Sequence, residues 1–270
     1  LDLVDPTTKI NTKGPIRMGG HKINDYRNNG PELPVWQVIT ESSNLGTARI
    51  AKMIGSEKQR EFLSSLGFTK PTSIEMIEAS GGKPLLPKRW NELETMTISY
   101  GHGLSATPLH LATGYATLAN GGRLVKPTLL EEEKLGLGQQ IISNEVAKNS
   151  LAMLRGVVTE GTASLADVNG YFVAGKTGTA DKPSAQGGYD KEKNITSFAS
   201  IFPIHEPKYV LVVTLDEAQD TSGPEPKRTA GWTAVPVSAE IIARVAPLLG
   251  LRPKFDNKSS VGVTLSNWQE

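Results

Sequence analysis

The sequence runs to 270 residues, enough to bury a sizeable core as one large domain or two small ones. Lys and Arg number 29 against 28 Asp and Glu, a net charge of +1 that points away from nucleic acid and from an anionic membrane surface. There is no cysteine, which excludes thiol chemistry and cysteine-based metal sites, and no apolar run of transmembrane length. His21, His102, His110 and His205 are scattered without metal-ligand spacing. They read as surface or partly buried side chains, and no metal or other cofactor is expected.

Residues 1–40 carry Gly14-Pro15, Gly19-Gly20 and Asn28-Asn29-Gly30-Pro31, which predict loops and a hairpin. From Leu45, the apolar residues Ile50, Met53 and Ile54 suit a helix closed by Gly55. Ser56-Glu57-Lys58-Gln59 reads as a capping box opening a second helix that ends at Leu66-Gly67. Residues 68–106 are loop-rich, with a helix around Arg89–Thr95; Gly101-His102-Gly103 is a fragment of a dinucleotide fingerprint with no strand beside it. Thr107-Pro108 caps a helix that stops at Asn120-Gly121-Gly122. Ser143 caps another, with Val146, Ser150, Met153, Leu154 and Val157 at helical spacing.

Farther on, Tyr171-Phe172-Val173-Ala174 predicts a strand leading into Gly175-Lys176-Thr177-Gly178-Thr179-Ala180. Residues 181–194 read as a loop or hairpin. Ile195–Phe202 and Tyr209–Leu215 then read as an antiparallel pair joined by a short link. After a polar loop (217–231), a helix is expected from about Val235 to Leu249, with Val237, Ile241, Val245 and Leu248 on its apolar face. The fold class is α/β of the α+β type, an antiparallel sheet flanked by helices. One domain is expected over residues 1–250, followed by a loosely held tail over 251–270.

Gly170 to Thr177 satisfies the phosphate-loop pattern G-x-x-x-x-G-K-[ST]. That motif needs a strand before its first glycine and a helix after its lysine. Here polar, turn-like residues precede Gly170 and Pro183 follows soon after Thr177, so the match is a decoy. On a strand, Thr177 and Thr179 share one face, Lys176 leans the other way, and Gly178 lets another chain approach closely. That arrangement suits a carboxylate and an extended peptide. The plainer readings are strand packing for the threonines, a snorkelling side chain for Lys176, and a helix cap for Ser42-Ser43-Asn44.

Taken in order, the motifs resemble the penicillin-binding transpeptidase domain, most closely the class B enzymes of septal cell-wall synthesis. Ser42-Ser43-Asn44 matches S-x-N, and Lys176-Thr177-Gly178-Thr179 matches K-[ST]-G-[ST]. Tyr100-Gly101-His102-Gly103, Thr107-Pro108-Leu109 and Ala119-Asn120-Gly121-Gly122 also look like that family. The resemblance covers nearly the whole chain and implies a β-lactamase/transpeptidase-like fold. It implies that Ser42 relays a proton, that Asn44 holds the substrate amide and the first-motif lysine, and that Lys176 supplies positive potential and orients Ser42. Thr177, Gly178 and Thr179 would bind the terminal carboxylate, with the Thr179 N–H as half of an oxyanion hole.

The partners implied are the D-Ala-D-Ala end of a peptidoglycan stem peptide, β-lactams and a membrane glycosyltransferase of the division machinery, with no nucleic acid. The location implied is the periplasmic face of a bacterial inner membrane, with the anchor outside this chain. The family's S-x-x-K motif, its nucleophile and base, is expected upstream of S-x-N. Here the letters occur at Ser80-Gly81-Gly82-Lys83, after S-x-N, and this match reads as chance. The chain is therefore expected to be an N-terminally truncated, inactive fragment of a D,D-transpeptidase. The alternatives are a D,D-carboxypeptidase or β-lactamase on the same fold, or a non-catalytic penicillin-recognising sensor.

Overall fold

The computed structural model describes residues 1–131, 136, 138–184, 187–255 and 268. The chain divides into two compact units, one of residues Leu1–Met153 and one starting at Leu154.

The first unit opens with four short strands. β1 (Lys9–Asn11) pairs antiparallel with β4 (Glu32–Pro34), and β2 (Ile16–Met18) pairs with β3 (His21–Ile23). The second pair is the expected hairpin; it turns on Gly19 and Gly20, whose φ of 55° and 80° favour glycine. After α1 (Val35–Thr40) comes α2 (Asn44–Ile54), against which β1, α1, α3 and α4 all pack. Its buried face is Leu45, Gly46, Ala48 and Ala51. These residues are mostly small, so neighbouring elements approach closely. Ile23, Leu45, Ala48 and Met96 form one apolar cluster, and Ile10, Leu33, Val35 and Val38 another.

Helix α3 (Ser56–Ser65) is present, but the capping box is not: Gly55 occupies the cap position and no side chain caps the helix. Gln59 turns inward instead. Its amide donates to the Thr95 carbonyl at 2.8 Å and accepts from the Trp90 indole N–H at 2.9 Å. Helix α4 (Glu92–Ser99) starts later than expected, because the capping box is made by Asn91 and Glu94. In α5 (Pro108–Ala119), Thr107 caps as expected and His110 completes the box. His110 is buried, a departure from the expected surface or partly buried histidines. Its ring nitrogens lie 2.8 Å from the Thr107 hydroxyl and 2.7 Å from the Lys70 carbonyl.

Helix α6 (Asn144–Thr159) runs from the first unit into the second, with Ser143 Oγ accepting from Val146 N–H at 3.1 Å. Its buried stripe is Ala147, Leu151, Leu154 and Val158, one position beyond the stripe read through Val146, Ser150 and Met153. Leu154 and Val157 are buried as expected, and Val146 is exposed.

The second unit holds a three-stranded antiparallel sheet in the order β5-β6-β7: β5 (Ala174–Pro183), β6 (Tyr189–Phe202) and β7 (Tyr209–Asp216). The strand predicted over Tyr171–Ala174 begins only at Ala174, because Phe172 takes φ 44° and turns the chain. β5 and β6 extend into the polar stretch 181–194 as a hairpin, so β6 starts six residues before Ile195.

Helix α7 (Ala234–Leu248) lies against β6 and β7. It buries Ala234, Val235, Ser238, Ile242 and Ala246, not the predicted face: Val237 is 40% exposed and Leu248 85%. The helix is apolar around much of its circumference, so spacing admits two stripes. The buried stripe mixes the small Ala234, Ser238 and Ala246 with Val235 and Ile242. Within residues 251–270, Leu251 is buried and Lys254 N–H donates to the Gly170 carbonyl at 3.0 Å. Residues 256–267, 269 and 270 lie outside the described residues.

Candidate active site

Ser42-Ser43-Asn44 forms the joint between α1 and α2. Ser42 N–H reaches the Ile39 carbonyl at 3.3 Å, and Ser43 N–H reaches the Val38 carbonyl at 2.9 Å. Between these bonds Ser42 is held at φ 57°, a left-handed conformation that is uncommon for a residue with a Cβ. Such strain persists only where the surroundings fix it, and it clusters at functional sites. The helix-cap reading holds for the middle residue: Ser43 Oγ accepts from Gly46 N–H at 3.0 Å. Ser43 is buried, while Ser42 and Asn44 on either side are partly exposed. Asn44 donates through Nδ2 to the Asn24 carbonyl at 3.1 Å.

A residue that the sequence did not flag holds this joint. The Asp25 carboxylate accepts from the Ser43 hydroxyl at 2.7 Å and from Leu45 N–H at 2.8 Å. Asn29 Nδ2 donates to the same carboxylate at 3.2 Å.

The second motif lies on β5, the edge strand of its sheet. At its start the Arg155 guanidinium donates to the Val173 carbonyl and to Asp167, each at 2.8 Å, fixing the chain as it enters the strand. Gly175 is pressed against β6, where a Cβ would meet the Ala199 carbonyl oxygen at 2.5 Å. Lys176 is partly buried, with Nζ 3.2 Å from the Thr177 carbonyl oxygen. Burial pulls its ammonium down from the ordinary lysine range to about 8.

Thr177 Oγ1 lies 2.8 Å from the Thr162 hydroxyl, and Thr179 Oγ1 accepts from Ala230 N–H at 3.0 Å. Gly178 between them is exposed, with open space where a Cβ would stand. The second unit thus brings together Lys176, Thr177, Gly178 and Thr179, with Thr162 and Ala230 as supports the sequence had not singled out. Ser42 and Asn44 belong to the first unit.

The decoys resolve locally. Lys176 and Thr177 sit inside a strand with no helix after them, so the phosphate-loop match has no structural counterpart. Gly101 and Gly103, at φ 100° and 81°, shape a turn after α4. Ser80 and Lys83 are exposed; Ser80 lies in a 3-10 turn over Ile77–Gly81, where the sequence suggested plain loop, and donates to the Ile77 carbonyl at 3.1 Å.

The family model for the penicillin binding protein transpeptidase domain matches residues 2–242. The chain belongs to this family. It is 32% identical over 258 residues to a probable peptidoglycan D,D-transpeptidase FtsI of Caulobacter vibrioides, covering 92% of this chain and 43% of the relative. It is 29% identical over 240 residues to peptidoglycan D,D-transpeptidase FtsI of Escherichia coli K12, covering 88% and 40%. The chain therefore spans about two fifths of the length of these curated relatives.

Among solved structures, the transpeptidase domain of Burkholderia pseudomallei penicillin-binding protein 3 superposes with a TM-score of 0.83 at 31% identity, covering 94% of this chain and 76% of that one. Penicillin-binding protein 3 of Mycobacterium tuberculosis complexed with ampicillin gives 0.80 at 25% identity, covering 97% and 61%. The mixed helix and antiparallel-sheet architecture is that of penicillin-binding transpeptidase domains. Among the described residues no helix is long and apolar enough to cross a membrane.

Proposed function

We propose that this chain is part of a serine-type D,D-transpeptidase that cross-links peptidoglycan stem peptides in septal cell-wall synthesis and is inhibited by β-lactams. A serine attacks the carbonyl of the penultimate D-Ala, the terminal D-Ala leaves after taking up a proton, and the amine of a neighbouring strand then displaces the serine from the ester. A β-lactam undergoes the first step through its ring amide. In this reading Ser42 relays the proton to the leaving group. Asn44 holds the substrate amide and the lysine of the first motif, and Lys176 supplies the positive field. Thr177 and Thr179 hold the terminal carboxylate, Gly178 leaves room for the peptide, and the Thr179 N–H stabilises the developing oxyanion.

The observation that carries this reading is the hydroxyl pair on the exposed strand edge. Thr179 Oγ1 already accepts from the Ala230 N–H, so its own proton is available to donate to a carboxylate. The names of the FtsI relatives support the septal assignment. By the same reading the protein works beside a division glycosyltransferase on the periplasmic face of the inner membrane. Residues 1–250 act as the transpeptidase part, with 251–270 as a tail.

No residue of the 270 is assigned as the nucleophile or its lysine base, and the chain alone is proposed to be inactive. Labelling with a fluorescent penicillin tests this on two samples, the 270-residue chain and the intact protein. Labelling of the intact protein alone supports the reading. Labelling of the short chain moves the nucleophile into it, with Ser42 and Ser80 examined first. Labelling of neither favours a sensor. In the labelled protein, turnover with a stem peptide and an acceptor amine separates cross-linking from hydrolysis by a carboxypeptidase or β-lactamase.

A further inference from the structure

The Asp25 carboxylate occupies a particular place at the start of α2. Ser43 is the cap residue, so Leu45 and Gly46 carry the N–H groups that a helix leaves without internal partners. Ser43 Oγ takes the Gly46 N–H at 3.0 Å, and Asp25 Oδ1 takes the Leu45 N–H at 2.8 Å. Ser43 then donates its own hydroxyl proton to Asp25 Oδ2 at 2.7 Å, which closes a ring of side chain and backbone around the first turn. A negative charge is favourable at this end of a helix. The carboxylate is steadied from outside by Asn29, and the chain on its N-terminal side is tied in by Asn44 through the Asn24 carbonyl.

The consequence falls on the two neighbours of Ser43. With its hydroxyl proton given to Asp25 and its oxygen accepting from the Gly46 N–H, Ser43 is fixed inward and buried, while Ser42 and Asn44 on either side stay partly exposed. Ser42 holds its left-handed φ of 57° between a backbone bond to Ile39 and this anchored serine. A serine released from such a conformation relaxes toward negative φ, which moves its hydroxyl.

We propose that Asp25 is a positioning residue for acyl transfer: by clamping Ser43 and Leu45 it fixes the directions of the Ser42 hydroxyl and the Asn44 amide. The inference rests on the reading of Ser42 and Asn44 as site residues. Asp25 itself touches no reacting atom.

The test uses the intact protein and fluorescent penicillin, separating the first-order acylation constant from the binding constant. Asp25→Asn keeps the size and an acceptor for Leu45 N–H but turns a donor toward Ser43 Oγ. It should lower the acylation constant about tenfold or more, since misplacement by about 1 Å can cost a hundredfold, and leave the binding constant within about threefold. In a Ser42→Ala, Asn44→Ala background the same substitution should cost less than about twofold, because both groups it positions are gone.

Asp25→Asn acylating like wild type while Ser42→Ala is crippled overturns the proposal. An equal factor lost in both backgrounds also overturns it, since that marks general destabilisation. Should Asp25→Asn not fold, Asn29→Ala carries the same cycle with an expected loss of about two- to threefold, the low end for a removed hydrogen bond, and unchanged acylation there overturns it. If Ser42→Ala and Asn44→Ala both label like wild type, the reading of the S-x-N residues falls first, and this inference with it.

Discussion

The hydroxyls of Thr162 and Thr177 lie 2.8 Å apart, joining the turn after α6 to the edge strand that carries the second motif. Thr162 is exposed, so its side chain contributes little burial, and its contact is with the motif threonine. Thr162→Val should keep the shape and the melting temperature while lowering penicillin acylation severalfold, because Thr177 loses the partner that orients it. Thermal melting and labelling on one preparation check this. A melting temperature that falls as steeply as labelling would make the pair a structural tie.

Lys176 titrates low because it is buried, and this gives its stability contribution a definite pH dependence. Below about pH 8 the lysine is charged in both folded and unfolded chains, and the folded state bears the full desolvation cost. As pH rises from about 8 toward the ordinary lysine value of 10.5, the folded state gives up its proton first and the cost fades. Lys176→Met should therefore melt higher than wild type near neutral pH, with the gap narrowing toward pH ~10.5. Acylation in the same variant should fall about a hundredfold or more, the scale of losing a proton-transfer or charge-stabilising group. A gap that stays constant with pH would rule out burial as its source.

Thr179 serves folding as well as any ligand. Its Oγ1 is the acceptor for the N–H of Ala230, a residue that is 1% exposed. Thr179→Val strands that donor and should cost about 1–3 kcal/mol of stability together with carboxylate recognition. Thr179→Ser keeps the acceptor and should retain both stability and most of the labelling. If valine labels as well as serine, the hydroxyl does not contact the carboxylate.

Gly46 is fixed by packing: a Cβ there would meet the two γ-methyls of Val38 at 2.6 and 2.8 Å. Gly46→Ala gains helix propensity but forces α1 and α2 apart, so a net loss of about 1–3 kcal/mol is expected. Gly46→Ala with Val38→Ala should recover part of it. Chemical denaturation of the single and double variants decides between this account and a purely backbone role for the glycine.

Local signals were readable where the physics is local. Thr107, Ser143 and the Asn120-Gly121-Gly122 stop were placed correctly because caps and stops act within one helical turn. Ser56 failed as a cap, since Gly55 already occupies that position and Gln59 is drawn inward by Thr95 and Trp90, which lie 36 and 31 residues away in sequence. In α7 the apolar spacing named Val237, Ile241 and Leu248, but the sheet selected Val235, Ser238 and Ile242. Hydrophobic spacing shows that a face exists; on a helix apolar nearly all round, only the partner surface decides which one.

By itself the sequence determined the family, from the order of S-x-N and K-[ST]-G-[ST], and the strand that carries the second motif, since alternation puts Thr177 and Thr179 on one face. It also determined that the phosphate-loop match was hollow. Only tertiary structure revealed the supports: Asp25 behind Ser43, Thr162 beside Thr177, and the Ala230 N–H on Thr179. These partners lie 18, 15 and 51 residues away along the chain, so no local pattern marks them. A hydrogen bond depends on where a folded chain returns, and that is set by packing of the whole unit.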